Sequence, residues 1–311
     1  MQTHDRAWEH YFVATGYPAV RPLAAGIEGA VYPLGRERVG KVWARRSVAE
    51  LALLQRAYRD IADQSPPFAT PTILELVAVR GVPVTIEREL PGRPLGEAMG
   101  AGSAALAPAA RRCVLGVLAG LATVRATASL RRLAVLDEAR PPWRGHADWG
   151  AALAALVDRR VARFGGHLRR RVADFGALHA RVARALAVPA PALVHGDLVP
   201  ANILVDAALR PVAVLDFGFR STVGDPTFDA AITAAITDMY GPHARAIEAH
   251  LDDALVADQG HDRARLLLYK AVYAIVTSNV FDPDGADGHT AWCADLLGRA
   301  DIRAALLGRD R

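Results

Sequence analysis

Lysine is almost missing from this chain. Of its 37 cationic residues only Lys41 and Lys270 are lysines; the others are arginines. No Lys/Arg block occurs, and the basic residues are interleaved with 33 acids. A net charge of +4 and a pI near 9.3 therefore give no reason to expect nucleic acid as a partner, because that needs a clustered basic face. Cysteine is scarce too. Cys113 and Cys293 lie far apart with no metal-ligand spacing, which excludes a disulfide framework and fits a reducing cytoplasm. Long apolar runs are lacking: Cys113–Val124, the longest, is too short to cross a bilayer. The polar segment Met1–His10, with Asp5 and Glu9, is no signal peptide. The expectation is a cytoplasmic protein without a membrane partner, a monomer or homodimer, and no internal repeat is found.

What is present is a globular composition, 52% apolar and 23% charged over 311 residues, enough for two lobes. In so arginine-rich a chain, a surviving lysine marks a place where the wide guanidinium fork does not fit. Lys41 sits in the strand-like run Val39–Trp43; Lys270 reads as a surface residue.

Residues 1–90 read as a strand-rich lobe, with strand-like pieces at Val20–Leu23, Ala30–Leu34, Val39–Trp43, Thr72–Val79 and Val82–Glu87. A helix is expected over Ser47–Asp63, where Val48, Leu51, Leu54, Tyr58 and Ile61 recur at helical spacing and Ser65-Pro66-Pro67 stops the pattern. Leu90-Pro91-Gly92-Arg93-Pro94 has the breaker composition of a hinge. Residues 91–311 read as a larger helical lobe with segments over 104–136, 148–164 and 168–187, interrupted by two short strands within 191–217. The class is α+β.

The informative stretch runs from Leu193-Val194-His195-Gly196-Asp197 through Asn202-Ile203-Leu204-Val205 to Val214-Leu215-Asp216-Phe217-Gly218. Ile203–Val205 and Val212–Leu215 are short apolar runs split by a turn-rich connector, so they pair as a hairpin. Asn202 then precedes one strand and Asp216 follows the other, bringing two oxygen-bearing side chains to one open end. Mg²⁺ takes oxygen ligands and keeps several waters, so an amide, a carboxylate and nucleotide phosphates suffice for it. Asp197, five residues before Asn202, is placed to orient an attacking hydroxyl or take its proton. Phosphoryl transfer asks little else of a protein.

His-Gly-Asp-x-x-x-x-Asn followed by Asp-Phe-Gly resembles the aminoglycoside phosphotransferase and choline kinase family, relatives of protein kinases. Gly224-Asp225-Pro226-Thr227-Phe228-Asp229 is similar to that family's Gly-Asp-Pro-x-x-Asp segment. The resemblance covers about residues 20–235 and implies a two-lobed protein-kinase-like fold. It implies that Asp197 is catalytic, that Asn202 and Asp216 bind Mg²⁺, and that His195, Asp225 and Asp229 hold the loop. It implies ATP or GTP as donor, with Lys41 on the α- and β-phosphates, the turn bearing Gly26 and Gly29 near them, and the backbone from Glu87 through Glu89 to Leu90 along the purine edge. Glu50 has two open readings: ion-pair partner of Lys41, or the acid of a Ser47-Val48-Ala49-Glu50 capping box. A second Asp174-Phe175-Gly176 precedes the His-Gly-Asp motif, with no strand before it, and reads as coincidence.

Only 12 residues separate Asp216 from Asp229, too few for a protein kinase's activation segment. The acceptor is therefore expected to be a small-molecule hydroxyl. Relatives in the family phosphorylate aminoglycosides, macrolides, choline, homoserine and methylthioribose, and the Ala/Arg-rich composition favours an antibiotic. A primary metabolite kinase and a silent nucleotide- or nucleic-acid-binding protein are the competing readings. For a polycationic acceptor the acids Asp238, Glu248, Asp252, Asp253, Asp282, Asp284 and Asp287 are available, with the loop trio Asp282, Asp284 and Asp287 preferred. Trp143, Trp149, Tyr240 and Tyr273 are candidates for an aromatic pocket.

Overall fold

The computed structural model describes residues 6–18, 21–26, 28–99, 104–182 and 191–308. Five antiparallel strands form the first lobe: β1 (Ala24–Gly26), β2 (Gly29–Gly35), β3 (Arg38–Trp43), β4 (Ile73–Val79) and β5 (Val82–Arg88), in spatial order β1-β2-β3-β5-β4. Period-2 alternation divides the two faces of this sheet. Val42, Val84 and Ile86 point to one side, where they pack with Tyr32 and Leu34 under Trp8 and Phe12 of the helix Arg6–Ala14. Sequence reading treated that N-terminal segment only as polar. Its two large aromatics, four residues apart, are what cap the sheet. Lys41, Trp43, Thr85 and Glu87 face the other side. The first strand begins at Ala24 rather than Val20, and Val20, Asp5 and Ile27 lie outside the described residues.

The expected helix forms over Val48–Ala62 and lies on that inner side. Ser47 Oγ accepts from the Glu50 N–H and the Glu50 carboxylate accepts from the Ser47 N–H, a complete capping box. Leu51, Leu54, Ala57, Tyr58 and Ile61 are buried on one stripe.

The second lobe is helical around short strands. β6 (Arg93–Pro94), β8 (Ile203–Val205) and β9 (Pro211–Val214) make a three-stranded sheet, and β7 (Ala192–Val194) pairs with β10 (Thr222–Gly224). The hinge stretch thus ends as a strand on the β8–β9 hairpin rather than as a free linker. The expected helix over 104–136 is Pro108–Ala122 plus a single turn at Ala128–Arg131, the break falling after Thr123, where the chain leaves the helical period. That over 168–187 is two pieces, Gly166–Arg171 and Phe175–Val182; residues 183–187 lie outside the described residues. Among the described residues no helix is long and apolar enough to cross a membrane.

The helix Arg263–Thr277 runs through the core of this lobe against Pro226–Ile236. Lys270 on it is fully buried, contrary to its expected surface place. Its ammonium bonds Glu248 at 2.6 Å and Asp252 at 2.6 Å, both on the helix Ala244–Gln259. Sequence could not separate this from a surface lysine, because the two acids lie 18 and 22 residues away on another helix.

Candidate active site

The loop bearing His195, Asp197 and Asn202 is built between β7 and β8. The hairpin pairs as expected: Ile203 faces Val214 and Leu204 faces Ala213, and the Leu215 N–H donates to the Asn202 carbonyl at 2.8 Å. Asp216 therefore follows immediately beyond Asn202's partner. It takes a left-handed backbone, φ +57°, a turn that asparagine and aspartate tolerate better than most residues.

Three groups hold the loop. Asp229 accepts the His195 N–H at 2.7 Å and the Gly196 N–H at 2.8 Å. His195, fully buried, donates from Nε2 to the Leu215 carbonyl at 2.8 Å while Nδ1 accepts the Asp197 N–H at 3.2 Å, so both ring nitrogens are committed to the scaffold. Asn202 Nδ2 donates to the Asp197 carbonyl at 2.9 Å. Asp225 caps the next helix through the Thr227 N–H and binds Arg265 Nε and the Tyr269 hydroxyl. Gly196 has φ +79°, and a Cβ there would lie 2.6 Å from the Arg220 carbonyl. Glycine is required because Arg220 packs directly on the loop.

Two clefts meet here. The first, of about 350 Å³, is lined by Gly26, Glu28, Gly29, Lys41, Asp197 and Asp216. Gly29 closes the β1–β2 turn where a Cβ would strike the Val42 carbonyl at 1.9 Å. Lys41 Nζ reaches Asp216 Oδ1 at 3.2 Å from across the cleft. Lys41 holds the Asp216 carboxyl below its usual range against the opposing effect of burial. Burial works to lower the Lys41 pKa, yet Asp216, Glu87 and Glu28 outweigh it and the net shift is upward. The second cleft, of about 440 Å³, is walled by Val199, Ile236, Met239, Tyr240, Tyr273 and Phe281, with Asp238 and His289. Asp197, Arg220 and Phe281 line both.

The profile of the Phosphotransferase enzyme family, APH, matches residues 19–267. The chain belongs to that family. The match runs past residue 235, into the core helix that carries Lys270. No curated protein matches this phosphotransferase in sequence. Among solved structures it is similar to the aminoglycoside phosphotransferase APH(3'')-Id from Streptomyces rimosus in complex with ADP and streptomycin, at 17% identity, TM-score 0.56, covering 96% of this chain and 100% of that one. It is also similar to the macrolide 2'-phosphotransferase MphH from Brachybacterium faecium, at 19% identity, TM-score 0.52, covering 99% and 100%. A GDP and kanamycin complex of APH(2")-IIia aligns at 15% identity and TM-score 0.58, covering 94% and 98%. At these identities the likeness establishes the fold, a protein-kinase-like one of two lobes.

Several sequence expectations for the phosphotransferase change place. Glu50 caps its helix and makes no bond to Lys41; Ser47 holds its carboxyl below the usual range despite some burial. The Arg88 and Glu89 N–H groups, expected along a purine edge, donate to Thr72 and Glu37 carbonyls at 3.0 and 2.8 Å; Leu90 follows, half-buried. Asp282 accepts the Asp284 and Ala286 N–H groups and Asp287 caps the helix Gly288–Gly298, so these two carboxylates do turn and cap chemistry, and none of the trio lines the second cleft. Trp143 and Trp149 stack in the core, whereas Tyr240 and Tyr273 reach the second cleft. Asp174 of the second Asp-Phe-Gly pairs with Arg303, away from both clefts. The residue that sequence reading missed is Arg220. It bonds Asp197 Oδ1 at 3.1 Å and the Tyr273 hydroxyl at 2.7 Å. In so arginine-rich a chain nothing local distinguished it.

Proposed function

We propose that the protein transfers the γ-phosphoryl of a nucleoside triphosphate to a hydroxyl of a small antibiotic-like molecule. One observation carries this: Asp197 lies on the wall shared by two clefts, one bearing Lys41 and Asp216, the other aromatic. Donor phosphates in the first and an acceptor in the second would meet at its carboxylate.

Asn202 and Asp216 are the residues that would hold magnesium, which when bound neutralises charge on the phosphates. The donors suit it. Among the described residues no cluster of three His, Cys, Asp or Glu is arranged to hold a metal by itself, and an ion sharing its ligands with phosphate and water needs no such cluster. Lys41, a compact charge on a flexible stem, meets the phosphates from the sheet. Asp197 accepts a hydrogen bond from the acceptor hydroxyl and aligns its oxygen on the phosphorus, a matter of placement more than proton abstraction. Arg220 keeps that carboxylate in one orientation and adds positive charge where charge builds on the transferred group.

Two features favour an acceptor with an apolar body and few amines over a polycation. The second cleft presents Val199, Ile236, Met239, Tyr240, Tyr273 and Phe281, and besides Asp197 its carboxylate is Asp238 alone. The neighbours named for aminoglycosides and for a macrolide span both options. The test is nucleotide consumption with ATP and with GTP against aminoglycosides, macrolides, nucleosides and amino alcohols. Turnover with a macrolide or nucleoside supports the reading; turnover confined to amino alcohols or homoserine makes it a metabolite kinase; none at all with bound nucleotide refutes transfer to these classes.

A further inference from the structure

A phosphate-binding lysine needs a carboxylate that holds it in place without competing for the ligand. Here Lys41 lies on Asp216 at 3.2 Å, a residue whose carboxylate faces the nucleotide cleft and is itself engaged when the donor binds. The helix Val48–Ala62 offers no substitute. Its acids are Glu50, committed to the capping box at the helix start, and Asp60, bonded to Ser129. The stripe it buries is Leu51, Leu54, Ala57, Tyr58 and Ile61, all without a carboxylate. Glu28 borders the cleft but is paired with Arg46 at 2.8 Å.

Glu87 is different. In the β3–β5 register Lys41 faces Thr85 and Val39 faces Glu87, so Lys41 and Glu87 sit diagonally on one face of the sheet, within reach of long side chains. Glu87 is 8% exposed and belongs to a chain of bonds: Trp43 Nε1 donates to Thr85 Oγ1 at 3.0 Å, and Thr85 Oγ1 donates to Glu87 Oε1 at 2.7 Å. Trp43 also lies under the Lys41 ammonium, 4.2 Å from ring centroid to Nζ. Lys41 is the cation on the face of this buried carboxylate; its ammonium bonds Asp216 and makes no direct bond to Glu87 in this state. Burial raises the Glu87 carboxyl pKa while Lys41 and the Thr85 hydroxyl oppose the rise.

We propose that Glu87, presented from β5 by Thr85 and Trp43, is the positioning carboxylate that holds Lys41 toward the donor phosphates, a role that Glu50 does not fill. The proposal rests on the phosphotransferase reading for its ligand but not for its geometry. When phosphate oxygens and their counter-ion draw on Asp216, Lys41 keeps Glu87 behind it and the phosphates in front.

Two readouts test it on the full chain. The first uses no nucleotide. With Lys270 buried, limited acylation followed by peptide mapping reports Lys41. In Glu87→Gln, Lys41 should acylate several-fold faster, because its side chain is no longer held from behind. Glu50→Gln should leave the rate unchanged and Glu87→Asp should restore it in part. The second is titration with ADP and with GDP in the presence of magnesium. Glu87→Gln should weaken binding about tenfold, equivalent to about 1.4 kcal/mol, while Glu50→Gln stays within twofold and only lowers thermal stability. Thr85→Val, which keeps the charge but removes its anchor, should fall between. Unchanged Lys41 reactivity in Glu87→Gln, or Glu50→Gln reproducing either change, overturns the proposal. A wild-type chain that binds neither nucleotide refutes the donor reading instead, and the acylation rates still decide the role of Glu87.

Discussion

Asp197 stands at the point where both clefts end, and its surroundings separate binding from chemistry. Its carboxylate touches Arg220 and bonds none of Lys41, Asn202 and Asp216, the residues that would hold the nucleotide and its metal. Asp197→Ala is expected to lower turnover by about 10²–10⁴-fold while ADP titration in the same variant gives an affinity close to that of wild type. The Asp197 backbone carbonyl still accepts Asn202 Nδ2 in that variant, so the loop keeps its shape. His289, in the lining of the second cleft, provides a pH test. Burial, with the nearby Arg220 charge, depresses its pKa from 6.5 to about 4. The unfolded chain therefore binds a proton between those values that the folded one refuses, and stability falls as pH drops from 6.5 toward 4. The effect is on the order of 3 kcal/mol, and His289→Gln should flatten that part of a stability–pH curve measured by urea unfolding. A variant curve parallel to wild type would place the acid sensitivity elsewhere.

At the scale of elements, the helix Val48–Ala62 begins on a reciprocal pair of bonds between Ser47 and Glu50. Ser47→Ala should cost about 1 kcal/mol and lower Tm by roughly 2 °C, with turnover preserved, as differential scanning calorimetry beside an activity assay would show. The elements of the catalytic segment were legible in sequence because each carries its own signal. Ile203–Val205 and Val212–Leu215 are apolar runs around a turn, and His195, Asp197, Asn202 and Asp216 stand at fixed offsets from them. The three acids at 282, 284 and 287 were legible as a loop, but not as a loop in which Asp282 and Asp287 spend their carboxylates on an Asx turn and a helix cap. Glu50 showed the same ambiguity at one residue. A capping acid and an ion-pair acid look alike until the lysine's direction is known.

Across the whole molecule, what sequence could not supply was pairing between distant segments. The α+β plan and the two lobes followed from composition and periodicity. That Trp8 and Phe12 roof the first sheet, or that Lys270 enters a carboxylate pair, depends on tertiary packing with no local signature. Lys270→Met should destabilise the fold by about 3–5 kcal/mol, read by denaturant unfolding, because Glu248 and Asp252 remain buried without their cation. A loss below 1 kcal/mol would mean that Arg299, also bonded to Glu248, compensates.

Asp197, Arg220 and Phe281 belong to the linings of both clefts. In the proposed reaction Asp197, fixed by Arg220, orients the acceptor oxygen rather than carrying the phosphoryl group, so the group is expected to cross in one displacement. A donor made chiral at its terminal phosphorus with sulfur and oxygen isotopes should give product of inverted handedness, and retention would reveal a carrier residue on that wall.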